Sequence, residues 1–429
     1  MKPINYTCLI LLSLFFLPFY VSAGTTIAVF MAGANDLERF TTGNLNEIKA
    51  LSVTQDVTIF VQLENRKGTF RYIYENNNLV LINQLDPTLK ASNNTGDPQT
   101  IIDFASFCIH ARPGNNLILV FWDHATGPLE PYPSRAVEFD DLCTIATARA
   151  YHLLKKIVDP FFLELPEPTW KGLCFDDRHK SFITESKLDY CLKMITQMLN
   201  KKIDMIIYDT CLEANVYTMH ITARYADYMC ASEEVVLARG INYTKTFTSL
   251  CTQPLTMYDF AQLVVKAYED TYKNIFHSYT FSAFDLQFAT QLEENINTLA
   301  NLLIQAIKEQ YKNSVIDTIK ACRSSRMCTS FDQTDYIDLA DFYTNLLKNV
   351  QEFQLKKKSK SLLQKISNTL KDGLSIVKRL IIASSAGPKK ARAQGVSIYF
   401  PHNKIHPSYK RSLFAQKSNW TSFLITMLN

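Results

Sequence analysis

Two stretches decide the fold: NLILVFWDHATG, Asn116 to Gly127, and IDMIIYDTCL, Ile203 to Leu212. Each opens with a run that is apolar at nearly every position and ends on polar residues. A short run of this kind fits a strand covered on both faces, which is the environment of a parallel sheet. In open parallel sheets ligands bind beyond the C-terminal ends of the strands. The first run ends on Asp123-His124-Ala125-Thr126-Gly127 and the second on Asp209-Thr210-Cys211, so a histidine and a cysteine far apart in sequence are expected at one edge of one sheet.

Working outward, Thr25–Met31 (TTIAVFM), Val57–Leu63 (VTIFVQL) and Asp227–Ala231 read as further strands. Helical periodicity covers Leu37–Leu51, Pro98–Ala111, Thr184–Leu199 and Leu212–Tyr225. Strands alternating with helices give an α/β class, a mostly parallel sheet flanked by helices. From Met257 the pattern turns mainly helical, over Met257–Ile275, Leu286–Gln310, Tyr336–Phe353 and Leu362–Ile382. A strand interrupts at Ser278–Phe284 and a last one returns at Val396–Phe400. The expected division is a leader at 1–23, a core at 24–255 and a largely helical C-terminal lobe at 256–429.

The leader, Met1 to Ala23, carries Lys2, an apolar run from Cys8 to Tyr20, and small residues at Val21-Ser22-Ala23. This is the pattern of a cleavable signal peptide, and its run falls short of the roughly 20 residues that span a bilayer. A secreted or periplasmic protein without stable membrane insertion is expected. The chain has 45 Lys plus Arg against 41 Asp plus Glu, a net +4 that becomes +3 when Lys2 leaves. That balance creates no field for nucleic acid. Ten cysteines minus Cys8 leave nine, an odd number in an oxidising compartment, so at least one thiol stays unpaired within the chain. Cys322 and Cys328 are spaced to close a short loop. No Cys/His cluster has zinc-ligand spacing.

The chemistry of His124 and Cys211 follows from their types. A thiolate is a strong nucleophile, and an adjacent imidazole takes its proton and later returns it to a leaving amine. Backbone amides at a strand-to-helix turn supply donors for the oxyanion of acyl transfer, here those of Ala125 and Cys211. A helix beginning at Leu212 would favour negative charge at Cys211. Taken singly, a core cysteine is more often a small buried hydrophobe and a post-strand histidine more often a turn residue.

The wording around the pair narrows the choice. Phe121-Trp122-Asp123-His124 with Gly127, the run from Ile203 to Leu212, and Ala226 to Glu234 (ADYMCASEE) resemble the clostripain family of cysteine peptidases. So do Ala34-Asn35-Asp36-Leu37-Glu38 with Leu45-Asn46-Glu47, Phe281 to Leu286, Tyr336 to Phe342, and Gly395 to Pro401 with Trp420, in the same order along nearly the whole chain after the leader. The resemblance implies a caspase-like α/β fold and a dyad of His124 and Cys211 without an obligatory third member. It implies peptide or protein substrates cut after a basic residue, and no required cofactor. It places Asp209 as an acid in the pocket for that basic residue. The residue's other reading is a polar cap for the helix at Leu212.

The resemblance also implies self-processing between histidine and cysteine, a stretch holding Arg135, Arg149, Lys155, Lys156, Lys171, Arg178 and Lys180. Asp176 and Asp177 match an acidic position where calcium would act as an accessory ion. The chain departs from the pattern at Ala125, Glu213 and Tyr217, where glycine, methionine and glutamate are usual. It departs again in the loop Val235 to Tyr243, where Arg239 would repel a basic side chain if it pointed inward. These departures define the alternative, a catalytically impaired member that binds a peptide or a protein partner.

Overall fold

The computed structural model describes residues 24–83, 89, 93–127, 172–309, 312–353 and 360–429. The leader at 1–23 and most of the proposed processing stretch lie outside them. The strands are β1 (Thr25–Ala32), β2 (Val57–Asn65), β3 (Gly68–Glu75), β4 (Asn78–Leu81), β5 (Asn116–Trp122), β6 (Leu173–Asp176), β7 (Ser181–Ile183), β8 (Ile203–Asp209), β9 (Ala226–Ala231), β10 (Thr280–Asp285), β11 (Tyr336–Asp338), β12 (Ile381–Ala386) and β13 (Ser397–Tyr399). Nine form one sheet in the order β12-β10-β9-β8-β5-β1-β2-β3-β4. Its centre, β9-β8-β5-β1-β2, is parallel, and both margins are antiparallel.

All eight residues of β1 are buried, which requires cover on both faces and explains why the strand reads TTIAVFMA without alternation. Helices Glu38–Lys49, Tyr243–Thr252 and Met257–Tyr272 pack in series, and Pro98–Ala111, Glu185–Leu199, Val216–Thr222 and Ala289–Ile307 form a second connected group. Side chains fix several helix starts. Asp97, Thr184, Asn242 and Thr256 each accept a backbone N–H from the first turn, as N-caps do.

The sheet is thus the expected mostly parallel one, but its margins differ from the sequence reading. The hairpin β3–β4 turns on Asn76 and Asn77, both left-handed with φ of 50° and 58°, the conformation of a tight two-residue turn. The residues 381–386 leave the helix Lys360–Leu380 and become β12 because β10 offers them an antiparallel partner. Tyr336–Asp338 is a strand rather than the first turn of a helix, which starts at Leu339 with Asp338 as its cap. Its partner is β13, so the strand near 396–400 joins a separate two-stranded sheet. The helix expected from Leu212 starts only at Val216, capped by the Asn215 side chain, because Leu212 takes a left-handed φ of 61° that ends any helix there.

The eight described cysteines after the leader are unpaired and buried. Cys322 does not bridge to Cys328. The first thiol faces the Asn345 carbonyl and the second the Asp338 carbonyl. Among the described residues no helix is long and apolar enough to cross a membrane.

Candidate active site

Strands β5 and β8 run parallel with Trp122 opposite Asp209. His124 and Cys211 each lie two residues beyond that pair, so both follow adjacent strand ends at the C-terminal edge of the sheet. The link continues past the strands, where the Asp123 N–H meets the Asp209 carbonyl at 3.5 Å.

His124 keeps a partly exposed ring whose Nε2 lies 2.7 Å from Asp36 Oδ1. Burial pushes the Asp36 carboxyl up, but the His124 ring and the Arg39 charge outweigh it, and the group titrates below its ordinary value. Behind the histidine, Asp123 is buried and accepts from Asn35 Nδ2 at 2.7 Å and from the Phe175 N–H. Burial raises the Asp123 carboxyl to about 8.

Cys211 is only 8% exposed. The Val236 N–H donates to its sulfur at 3.3 Å, and the thiol faces the Val236 carbonyl at 3.7 Å. Burial pushes the thiol up to about 12, and the charges of Glu234, Asp332 and Asp209 push the same way. A helix N-terminus does not act on this sulfur, since the helix begins five residues later. The turn that carries Cys211 is held instead by backbone bonds from Leu212 N to Glu234 O and from Ala214 N to Ser232 O. The remote β13 adds a third anchor, Ser397 N donating to Ala214 O at 2.9 Å.

Asp209 is 2% exposed and is neither a helix cap nor open to solvent. Its oxygens accept from the Ile241 N–H at 2.8 Å and from the Tyr243 hydroxyl at 3.2 Å. Burial raises the carboxyl to about 7. Gly240 has a φ of 65°, and a Cβ there would stand 2.4 Å from Asp209 Oδ2. Only glycine lets the loop lie this close to the carboxylate. One loop, 235–241, therefore covers both the thiol and the acid.

A family comparison fits this geometry, since the model of the Clostripain family matches residues 29–147 and 162–425. The chain belongs to the clostripain family. That membership makes it a cysteine peptidase by family and fold. Among solved structures it is similar to a secreted C11 cysteine protease from Bacteroides thetaiotaomicron in complex with an irreversible peptide inhibitor. The two share 16% identity at a TM-score of 0.60, over 94% of this chain and 99% of that one. It is also similar to an inactive zymogen C11 protease from Parabacteroides distasonis, with 13% identity and a TM-score of 0.59 over 92% and 98%. At these identities the likeness concerns the caspase-like fold. No curated protein matches the chain.

Each departure from the clostripain pattern has a structural account. Ala125 is buried and bridges to Leu173, and it is not among the residues with positive φ. The left-handed turn falls instead on Gly127, with a φ of 61°. Glu213 is buried and accepts from the Thr218 hydroxyl and the Gly127 N–H, which ties the histidine turn to the cysteine turn. Burial raises its carboxyl to about 7. The Tyr217 ring packs edge-on against Tyr409 and Phe414, and its hydroxyl accepts the Tyr399 N–H at 3.0 Å, binding the C-terminal region to the core. Arg239 is exposed and lines a cleft of about 200 Å³ with Arg39, Phe40, Gly43, Asn44 and Glu47, and it is not among the charges that shift Asp209.

Asp176 spends its oxygens on the His179 N–H, the His179 ring and the Thr95 N–H. Among the described residues no three ligating side chains converge. Of the basic residues considered for processing, Arg178 and Lys180 are described, and Arg178 pairs with buried Glu64 at 3.2 Å. Arg135, Arg149, Lys155, Lys156 and Lys171 lie outside the described residues. Residue types alone missed Asp36 and Val236. Asp36 stood inside a quoted motif without a role, and nothing local in a valine marks it as a thiol's partner.

Proposed function

We propose that this chain is an exported cysteine endopeptidase in which Cys211 attacks the peptide carbonyl and His124 is the general base. The observation that supports the reading is the parallel register of β5 and β8, whose neighbouring C-terminal ends lead into His124 and Cys211. In the proposed step the thiol proton passes to the His124 ring and the thiolate adds to the carbonyl carbon. The carbonyl electron pair moves to oxygen, which as the oxyanion accepts hydrogen bonds donated by the Ala125 and Cys211 amides. Collapse breaks the C–N bond and the imidazolium protonates the leaving amine; water, giving a proton to the His124 ring, then adds to the thioester, and the S–C bond breaks as the proton returns to Cys211. No cofactor enters.

Cleavage after a basic residue rests on Asp209. A guanidinium replacing the Ile241 and Tyr243 donors would hold the carboxylate ionised with paired hydrogen bonds. Export rests on the sequence of residues 1–23 and self-processing on the basic stretch between the two site residues. The test is hydrolysis of fluorogenic peptides ending in Arg, Lys, Ala, Leu or Asp, by the parent and by Cys211→Ala, with and without a calcium chelator. Turnover confined to the parent and to Arg and Lys is expected, and mass spectrometry should find an internal cut only in the parent. A non-catalytic member that binds peptides is the second reading. It is favoured by a thiol whose hydrogen bonds lead to Val236, and it would gain if folded, reduced parent bound these peptides without cutting them.

A further inference from the structure

Strands β8, β5 and β1 are consecutive in the sheet. Met31 of β1 pairs with Trp122 of β5, and Trp122 with Asp209 of β8, so all three strands end level. Past those ends come Cys211, His124 and, after the turn Gly33-Ala34-Asn35, Asp36. We propose that Asp36 is a positioning residue for His124, making the set a Cys-His-Asp row rather than a dyad. This rests on the peptidase reading given above.

Several contacts support the assignment. A carboxylate can only accept, so the 2.7 Å contact puts the hydrogen on Nε2 and fixes the tautomer and orientation of the ring. The Asp36 turn is held from four directions. Asn35 Nδ2 donates to Ala32 O, Asp123 Oδ1 and Phe175 O, and Asn35 Oδ1 accepts the Leu37 N–H. The ordinary role for an aspartate here would be to cap the helix Glu38–Lys49. That helix has no side-chain cap at Leu37, and the nearby amide is taken by Asn35, so the Asp36 carboxylate is committed to the histidine.

In the proposed step the proton leaving sulfur goes to Nδ1, and the Nε2 proton stays in its bond to Asp36. The carboxylate balances the imidazolium and is not itself protonated. The other charges facing the pair are Asp123 behind the ring, Asp177 on the neighbouring turn and Arg39 on the helix.

The test uses the full chain with Asp36→Asn, Asp36→Ala and Asp36→Glu, with Cys211→Ala as the control for the peptidase reading. Expected for Asn and Ala is a fall in kcat of about 10- to 100-fold with KM changed less than twofold, and partial recovery in Glu. The ¹⁵N spectrum of labelled His124 should show the Nε2–H tautomer in the parent and lose it in Asp36→Ala. An Asp36→Ala protein with the parent's kcat and the parent's tautomer overturns the proposal. If turnover survives in Cys211→Ala, the peptidase reading fails instead, and the tautomer still decides whether Asp36 holds the ring.

Discussion

The two strand ends that meet at the site are finished in different ways. At the end of β5, His124 faces outward, partly exposed, with a carboxylate on its ring. At the end of β8, Cys211 is enclosed, bonded among the described residues to the backbone of Val236, and near groups that disfavour its anion. The imidazole is accessible, while Cys211 lies as a thiol, its anion disfavoured by burial, under loop 235–241. On the proposed peptidase reading, the barrier to chemistry lies in the cover over the cysteine and not in the histidine.

The largest effect that tests this contrast is alkylation. A thiol near 12 rather than 9 carries about a thousandfold less thiolate at neutral pH, so Cys211 should react with iodoacetamide about a thousandfold more slowly than an ordinary exposed cysteine. Peptide mapping by mass spectrometry reads the rate. Rapid alkylation would mean that the cover opens unaided and would erase the contrast.

Gly240→Ala attacks the cover directly. The new Cβ would collide with the Asp209 carboxylate at a left-handed φ. The expected cost is about 2–4 kcal/mol in thermal unfolding, with faster alkylation of Cys211. An unchanged Tm and alkylation rate would show that Gly240 does not hold the loop down.

The smallest effect concerns the root of the same loop. Glu233 and Asp338 are buried against each other, and Gly395 N donates to Glu233. Burial and its neighbour hold Glu233 well above the ordinary range, and burial lifts Asp338 to about 6. Both folded values lie above the unfolded ones. Their contribution is therefore full below about pH 4 and is lost as pH rises through 6 and beyond. Between pH 5 and 8 it should fall, by about 1.4 kcal/mol through Asp338 alone. Comparing Tm across that range in the parent and in Glu233→Gln isolates the pair from other raised carboxyls such as Asp123, Asp209 and Glu213. An identical slope in both proteins would remove the pair from the anchoring of the loop.

Much of this arrangement was legible in residue order. Strands β1, β2, β5, β8 and β9 read correctly because burial on both faces demands unbroken apolar runs, and Pro98–Ala111 matched to the residue behind its Asp97 cap. The hairpin β3–β4 had a local signal in Asn76-Asn77 that the apolar pattern passed over. The late helix start at Val216 also had one, since Asn215 accepts from both Tyr217 N and Thr218 N. In contrast, IIASSA at 381–386 carries no break from the helix before it, and only the free edge of β10 makes it a strand.

The sequence by itself determined the parallel centre of the sheet and the two strand ends that bear Cys211 and His124. Residue type and apolar runs are local properties, and a strand covered on both faces is legible from its own run without its neighbours. Only the tertiary structure decided the state of those residues. That Asp36 meets His124, that Asp209 lies beneath Gly240, and that Val236 closes on the thiol depend on contacts between segments remote in the chain. Burial acts through those contacts, since it is the surrounding atoms, and not the residue's own identity, that exclude water from a thiol or a carboxylate and set its charge.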